Sequence, residues 1–458
     1  MDYAVLAPVR FGFGLSPRQK PPAAPKEILA ALSGADVLGQ RWPGITTQEA
    51  LQVQDDFHAR KKAAGEKPPK PAATKAFAEQ KAKMNDIQLD SLKIALARAV
   101  EDRTGMRERL MAFWRDHFTV QGKRRQDVAL ACSHAESAVR PYIATSFPEM
   151  LRAATLHPMM LLYLDQATSF GPDSVLAKKR PDRNLGLNEN LARELMELHT
   201  LGVNGSYTQD DVRQLAELLT GLRVRLGEGM DFEPKLAEPG AEHVLGRDWG
   251  GDPAKLSDIE AVLTTLALHP DTARHLSQKL AVHFVGPEPD AALTGAMAEA
   301  YLGAKGALLP VYEVLLSHPA ALGESFVKVR QPFDFLATGM RALGLDGQAV
   351  MAFDGAQMRR FGYWPLRDMG QKWLAPPGPN GWPEESAEWI APQQLSARIN
   401  WALRAPRGLT GAVPEPVPFA ASALGARLSE SVAQAVPRAE TKAEGVALVL
   451  ASAELNRR

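Results

Sequence analysis

Apolar residues recur at i, i+3, i+4 and i+7 in one segment after another of this 458-residue chain, and that spacing limits what it can fold into. IQLDSLKIALARAV (87–100), GMRERLMAFWRDHF (105–118), DVRQLAELLTGL (211–222) and DIEAVLTTLALHP (258–270) each place one apolar stripe along a helix. Alternating runs bounded by turn residues are scarce, and only GLRVRL (221–226) reads as a strand, enough for a minor short hairpin. The expected fold is therefore mainly α: a large multi-helix, bundle-like body with long loops.

Length leaves the domain count open, because large helical proteins can wrap one continuous core. Composition shifts divide the chain into an N-terminal region (1–84), a main helical body (85–404) and a Pro-rich connection leading to a C-terminal docking helix (405–458). The first region ends in RKKAAGEKPPKPAATKAFAEQKAK (60–83), rich in Lys, Ala and Pro, which reads as a basic linker or a solvated helix pair.

Charge excludes some functions. Lys plus Arg equals Asp plus Glu at 53 each, so no global field recommends nucleic acid or an anionic membrane surface. The single cysteine, Cys132, excludes an internal disulfide and a multi-cysteine zinc site, and LACSHAE around it reads as helix packing. The start, MDYAVLAPVRFGFGLSP, lacks the pattern of a signal peptide, which points to the cytoplasm. No apolar run approaches the roughly 18–20 residues that span a bilayer.

An apolar helix runs into His-Pro three times, at His157, His269 and His318. Proline suits the first turn of a new helix, so each dipeptide marks a corner. The histidines are expected at the C-terminal ends of the preceding helices, where the macrodipole favours a cation.

GLNENLARELMELHTLG (186–202) packs two Asn, three Glu, an Arg and a His into an otherwise apolar-periodic segment. A helix from about Asn188, its cap, to Leu201 fits, with Gly202 as the left-handed stop. Glu189, Arg193 and Glu197 form an outward ladder of i, i+4 pairs that needs no function. Asn190 aligns with Glu194. On a regular wheel Leu191, Leu195 and Leu198 make the apolar stripe, with Glu194 and His199 on its shoulders; a half-buried carboxylate there must be paired, hydrogen-bonded or metal-bound. The following VNGSYTQDDVRQL continues past Tyr207 into a capping box of Thr208 and Asp211, so the two helices form a hairpin. The oxygen-rich turn between them lacks the glycine and terminal glutamate of a calcium loop.

Three more places hold candidate chemistry. FWRDHFTV sets Asp116 and His117 among aromatics, where His117 is either a core histidine or a ligand reaching toward Glu194. LLYLDQATSFG ends a helix on Asp165, whose charge opposes the dipole and calls for Arg193 or His117 as partner. GQKWLAPPGPNGWPEESAEWI (370–390) carries Trp373, Trp382 and Trp389 in a Pro- and Gly-rich loop, suited to cover the body or to rim a ligand. Phosphate-binding loops, H-E-x-x-H and G-x-S-x-G are all absent from the sequence.

RFGFG, FWRDHFTV, HPMMLLYLDQATS, NENLARELMELHTLGVNGSYTQDDVRQLAELLTGL, HPDTARHLSQKLAVHFV and APPGPNGWPEESAEW, in that order, resemble the bacterial domain of unknown function family 1800 over nearly the whole chain. The resemblance implies a largely helical fold without an established activity, frequent export, and a phosphatase-like protein partner encoded nearby. Two main readings follow, beside a third of cofactor binding in an aromatic pocket formed by the Trp-rich loop. In one the chain is an accessory protein whose Asn/Glu/His motif is a buried network. In the other it is a metal-dependent, hydrolase-like enzyme: Glu194, Glu197, His199 and His117 hold a divalent cation, Glu194 acts as base, Arg193 clamps an anion, and Asp165 assists.

Overall fold

The computed structural model describes residues 1–67, 70–183 and 185–458; it is 64% helical, and among the described residues there are only two small two-stranded antiparallel sheets. Its longest element, Pro71–Glu101, runs 31 residues, about 46 Å at 1.5 Å per residue. That helix belongs to both hydrophobic cores. Near its start Met84 packs with Phe57, Leu110 and Trp114; further along, Leu92, Leu96 and Val100 pack with Phe335, Met340 and Trp401.

The basic stretch 60–83 forms a helix pair: Thr47–Ala64, opened by a Thr46/Glu49 capping box, lies against Pro71–Glu101. Its residues 68 and 69 lie outside the described ones. At the other end Lys442–Ala451 buries Val446, Val449 and Leu450 against Pro392–Thr410, and the final residues pair with the segment before Pro332–Ala342, Arg330 N donating to Asn456 O at 2.8 Å. Among the described residues no helix is long and apolar enough to cross a membrane.

The expected hairpin is present as Leu222–Arg225 paired with Gly229–Phe232. A second, Gly240–Val244 with Arg247–Gly251, gives little sequence signal, since Gly and charged residues fill it. Its turn is made by Leu245 and Gly246, both at positive φ (51° and 74°).

The three His-Pro corners correct the sequence reading. His157, His269 and His318 cap the following helices, each Nδ1 accepting the backbone N–H two residues on, at 3.0, 3.1 and 3.2 Å; His318 is also the C-cap of Leu309–Ser317, the helix end expected for it. An imidazole lone pair does here what a Ser or Asp oxygen does at other helix starts, with proline next to it losing no hydrogen bond. The helix end is therefore the positive one.

Candidate functional site

The polar segment starts its helix two residues later than expected, with Glu189 and not Asn188 at the N-cap position and no side-chain cap bond there. Asn188 Oδ1 accepts from Asn190 N at 2.9 Å, the helix Asn190–Glu194 follows, and Gly202 closes the unit at φ 84°. A side chain on Gly202 would meet the His275 ring at 2.8 Å, so the stop also sets a close approach. Between them the helix widens into a π turn, Leu195–His199. The extra residue in that turn shifts everything after it off a regular wheel. Met196 and His199 are buried, while Leu198 keeps solvent contact.

Charges on this segment pair locally. Arg193 reaches Glu189 at 3.0 Å, Glu197 at 3.3 Å and Gln209 at 3.1 Å, so its guanidinium is occupied. Asn190 is exposed. Glu194 is half-buried and makes no side-chain hydrogen bond or ion pair among the described residues; burial pushes its carboxyl up, Glu197 adding and Arg193 opposing. The Thr208/Asp211 capping box forms, and Asp211 also accepts from Leu245 N at 2.7 Å, tying the second hairpin to it. Tyr207 packs partly buried on the core. Asp165 corrects the expectation of Arg193 or His117 as partner. Its left-handed backbone (φ 58°) accompanies an exposed carboxylate that meets Lys123 at 3.0 Å.

Behind the segment three histidines gather. His117 donates Nε2–H to the His199 carbonyl at 3.2 Å, its ring centre 5.8 Å from His199 and 6.5 Å from His275. Both His117 and His199 leave a buried Nδ1 without a partner. Burial holds His117 well below the ordinary histidine range and takes His199 down to about 3, with Lys279 deepening both shifts. Among the described residues no three His, Cys, Asp or Glu side chains converge to hold a metal ion; Glu194, Glu197, His199 and His117 do not form such a set.

The other side of Met106–His117 differs. Arg115 and Asp116 open into a cavity of about 40 Å³ closed over by the Trp-rich loop and bordered by His134, His283, Trp373 and Trp382. That volume holds roughly three waters. The Arg115 guanidinium lies 4.2 Å over the Trp373 ring and makes no ion pair or hydrogen bond among the described residues. A cation on an aromatic face keeps its hydrogen-bond donors free at the edge. Asp116 accepts from Trp382 N at 2.9 Å through a turn at Gly381, φ 80°, where any Cβ would strike the carboxylate at 2.7 Å. Arg115 and Asp116 retain solvent contact but sit deep enough for burial to dominate their titration. It pushes Asp116 up to about 7; the Trp382 N–H opposes that, Glu384 adds to it, and Lys279 and Arg115 oppose it further. His134 is buried at 1% exposure with Nε2 unpartnered and is lowered to about 4 by burial.

A charge network fixes the wall. Arg109 Nη2 donates to His283 Nε2 at 2.8 Å, which leaves Nδ1–H to donate to Glu384 at 2.6 Å and so selects the tautomer. Lys328 also holds Glu384, and Arg109 pairs with Asp334. Burial alone would raise Glu384, yet His283 and Lys328 outweigh it and hold the carboxyl well below its usual range. The loop is therefore pinned at Glu384 and at Trp382, with Trp373 and Trp389 buried and Trp382 at the cavity rim.

Sequence reasoning singled out Asp116, His117 and Trp382 but passed over Arg115, His134, Lys279, His283 and Glu384. One signal was available: Leu110, Trp114 and His117 share a helix face at i, i+4 and i+7, which turns Arg115 to a different side. No curated protein and no solved structure matches the chain. The sequence pattern described as "Protein of unknown function (DUF1800)" matches residues 7–457, so the chain belongs to that family.

Proposed function

We propose that the chain binds a small anionic group in the cavity between Met106–His117 and the Trp-rich loop, and exchanges a proton with it through Asp116. The observation that carries this reading is Arg115, a guanidinium stacked on Trp373 whose donors meet no protein acceptor among the described residues and face the cavity. A planar, always-charged fork of this kind suits a carboxylate or phosphate oxygen pair. Asp116, poised near neutrality, has the acidity wanted in a general acid or base, and His134, also on the cavity lining, has a buried nitrogen without a partner among the described residues. The cavity takes the anionic end of a molecule, not a whole large ligand. In this reading the segment 188–211 is scaffold, its polar groups setting the hairpin geometry, and a hydrolase-like role passes from Glu194 to Asp116.

Thermal denaturation with phosphate, sulfate, acetate and succinate tests the reading on wild type and Arg115→Ala. At least one anion should raise Tm in the wild type and not in the variant. Flat curves for the whole panel, or equal shifts in both proteins, would refute it.

A partner-protein reading draws on a different observation. Leu395, Ile399 and Leu403 on Pro392–Thr410 and Leu448 on Lys442–Ala451 remain 39–44% exposed side by side, an apolar stripe of the kind seen at interfaces. An accessory role would place its contact there and not on the Trp-rich loop, whose rings are mostly buried.

A further inference from the structure

Trp364 is 46% exposed, and its indole separates two concavities, one of about 580 Å³ and one of about 170 Å³. The first lies within the range of small-ligand pockets, roughly 300–1,000 Å³. It runs between Trp364 and one face of Pro392–Thr410, which presents Gln393, Asn400 and Arg404, with Arg360 closing the far side and Trp401 in the floor. The second, across the ring, is bordered by Asn85, Gln88 and Arg359. Trp364 itself follows the π turn Arg359–Tyr363, and the widened turn precedes its outward display.

The side chains of the first groove are largely uncommitted, whereas across the ring Asn85 Oδ1 accepts from Arg125 at 3.4 Å, Gln88 Nε2 donates to the Trp373 carbonyl at 3.2 Å and Arg359 reaches Asp86 at 3.8 Å. Arg360 and Arg404 form no ion pair among the described residues, and Gln393 forms no side-chain hydrogen bond there. Asn400 makes only a long one, 3.5 Å to Ser396. The nearby Asp368 is neutralised by Arg367 at 2.7 Å. The net character of the first groove is an aromatic platform flanked by terminal amides and the two guanidinium groups of Arg360 and Arg404.

We infer that the grooves on either side of Trp364 form one binding track for an acidic oligosaccharide, one sugar ring lying on the indole and its neighbours extending to both sides. A sugar ring offers an apolar C–H face to the indole and hydroxyls that both donate and accept, which the amides of Gln393 and Asn400 match on one side and the remaining amide atoms, Asn85 Nδ2 and Gln88 Oε1, on the other. Arg360 and Arg404 supply the charge for uronate carboxylates. Single-stranded nucleic acid fits less well, since it calls for several platforms along a strongly basic groove, whereas one exposed indole and a neutral chain are present here.

The experiment is calorimetric titration of the full chain with a short oligogalacturonate, a neutral oligosaccharide of the same length, and oligodeoxythymidylate. The oligogalacturonate should bind, with affinity falling as salt rises. Trp364→Ala should weaken it by about tenfold or more, the size of a lost ring-stacking contact, and Arg404→Ala should weaken it while flattening the salt dependence. Both side chains are exposed, and an unchanged Tm would verify that each variant is folded. The inference is overturned if the oligogalacturonate does not bind, if Trp364→Ala binds it as well as wild type, if the neutral sugar binds equally, or if oligodeoxythymidylate binds more tightly. Arg115→Ala should leave this binding intact, which separates its failure from that of the cavity.

Discussion

The segment 188–211 and the cavity beside Arg115 are both dense in charge, yet they use it in opposite ways. In the segment, partners are near in sequence: Glu189, Arg193 and Glu197 satisfy one another along a single helix, and Thr208 and Asp211 close a cap three residues apart. At the cavity the groups arrive from distant parts of the chain, with Asp116 meeting Trp382 across 266 residues and His283 meeting Glu384 across 101. Local pairing uses up the hydrogen-bonding capacity of Glu189, Arg193, Glu197 and Asp211, while Glu194 and His199 Nδ1 stay unmatched among the described residues. Long-range assembly leaves Arg115 and His134 Nε2 unmatched, which is the condition for receiving a ligand. On the proposed reading the unmatched charge that marks the site is Arg115 at its cavity and not Glu194 on the segment.

The largest effect expected is on acid stability. His134, His199 and His283 titrate at about 4, 3 and 4 in the fold, against about 6.5 unfolded. The unfolded chain binds more protons between those values, so their contribution is fully present above about pH 6.5 and is lost as pH falls toward 4, on the order of 3 kcal/mol for each. Urea midpoints should drop steeply across that window. A flat profile would contradict the burial assigned to these rings. Asn substitutions one at a time sharpen the comparison, since His199 lies behind the segment and the other two border the cavity.

Next in size is Asp334→Ala, which strands Arg109 and Arg458 in the interior beneath the cavity wall and should cost about 3–5 kcal/mol by urea denaturation. Asp116→Asn should act in the other direction. A carboxyl raised to about 7 contributes stability that is present below about pH 4 and lost as pH rises through 7, so the amide should be more stable at pH 8 by about 1–2 kcal/mol, discounting for its solvent contact, with the gap closing as pH falls. A destabilised Asn variant at pH 8 would mean that the ionised carboxylate is needed to hold the Trp382 turn. The smallest effect belongs to the segment: Arg193→Ala removes two half-exposed i, i+4 pairs and should cost under about 1 kcal/mol. A loss of several kcal/mol there would break the contrast.

Much of the architecture was legible because helices announce themselves by period. The stripe of Leu110, Trp114 and His117, the cap at Thr208 and the stop at Gly202 all rest on residues within a few positions of one another. What escaped was non-local or irregular. The π turns at Leu195–His199, Ala135–Val139 and Arg359–Tyr363 carry no sequence mark, yet each shifts a helix face, beside His199, His134 and Trp364 respectively. The capping role of His157, His269 and His318 was missed because histidine was weighed as a cation and not as a neutral acceptor. Arg115 was unreadable for another reason: its lack of a partner is a property of the fold.

The most direct test is a crystal soaked in selenate, followed by an anomalous difference map. An anomalous peak within hydrogen-bonding distance of the Arg115 guanidinium, absent in Arg115→Ala crystals, is the expected result. A cavity without selenate, with the peak instead at Arg193 and its neighbours on the 188–211 segment, would contradict the assignment and return the site to the polar motif.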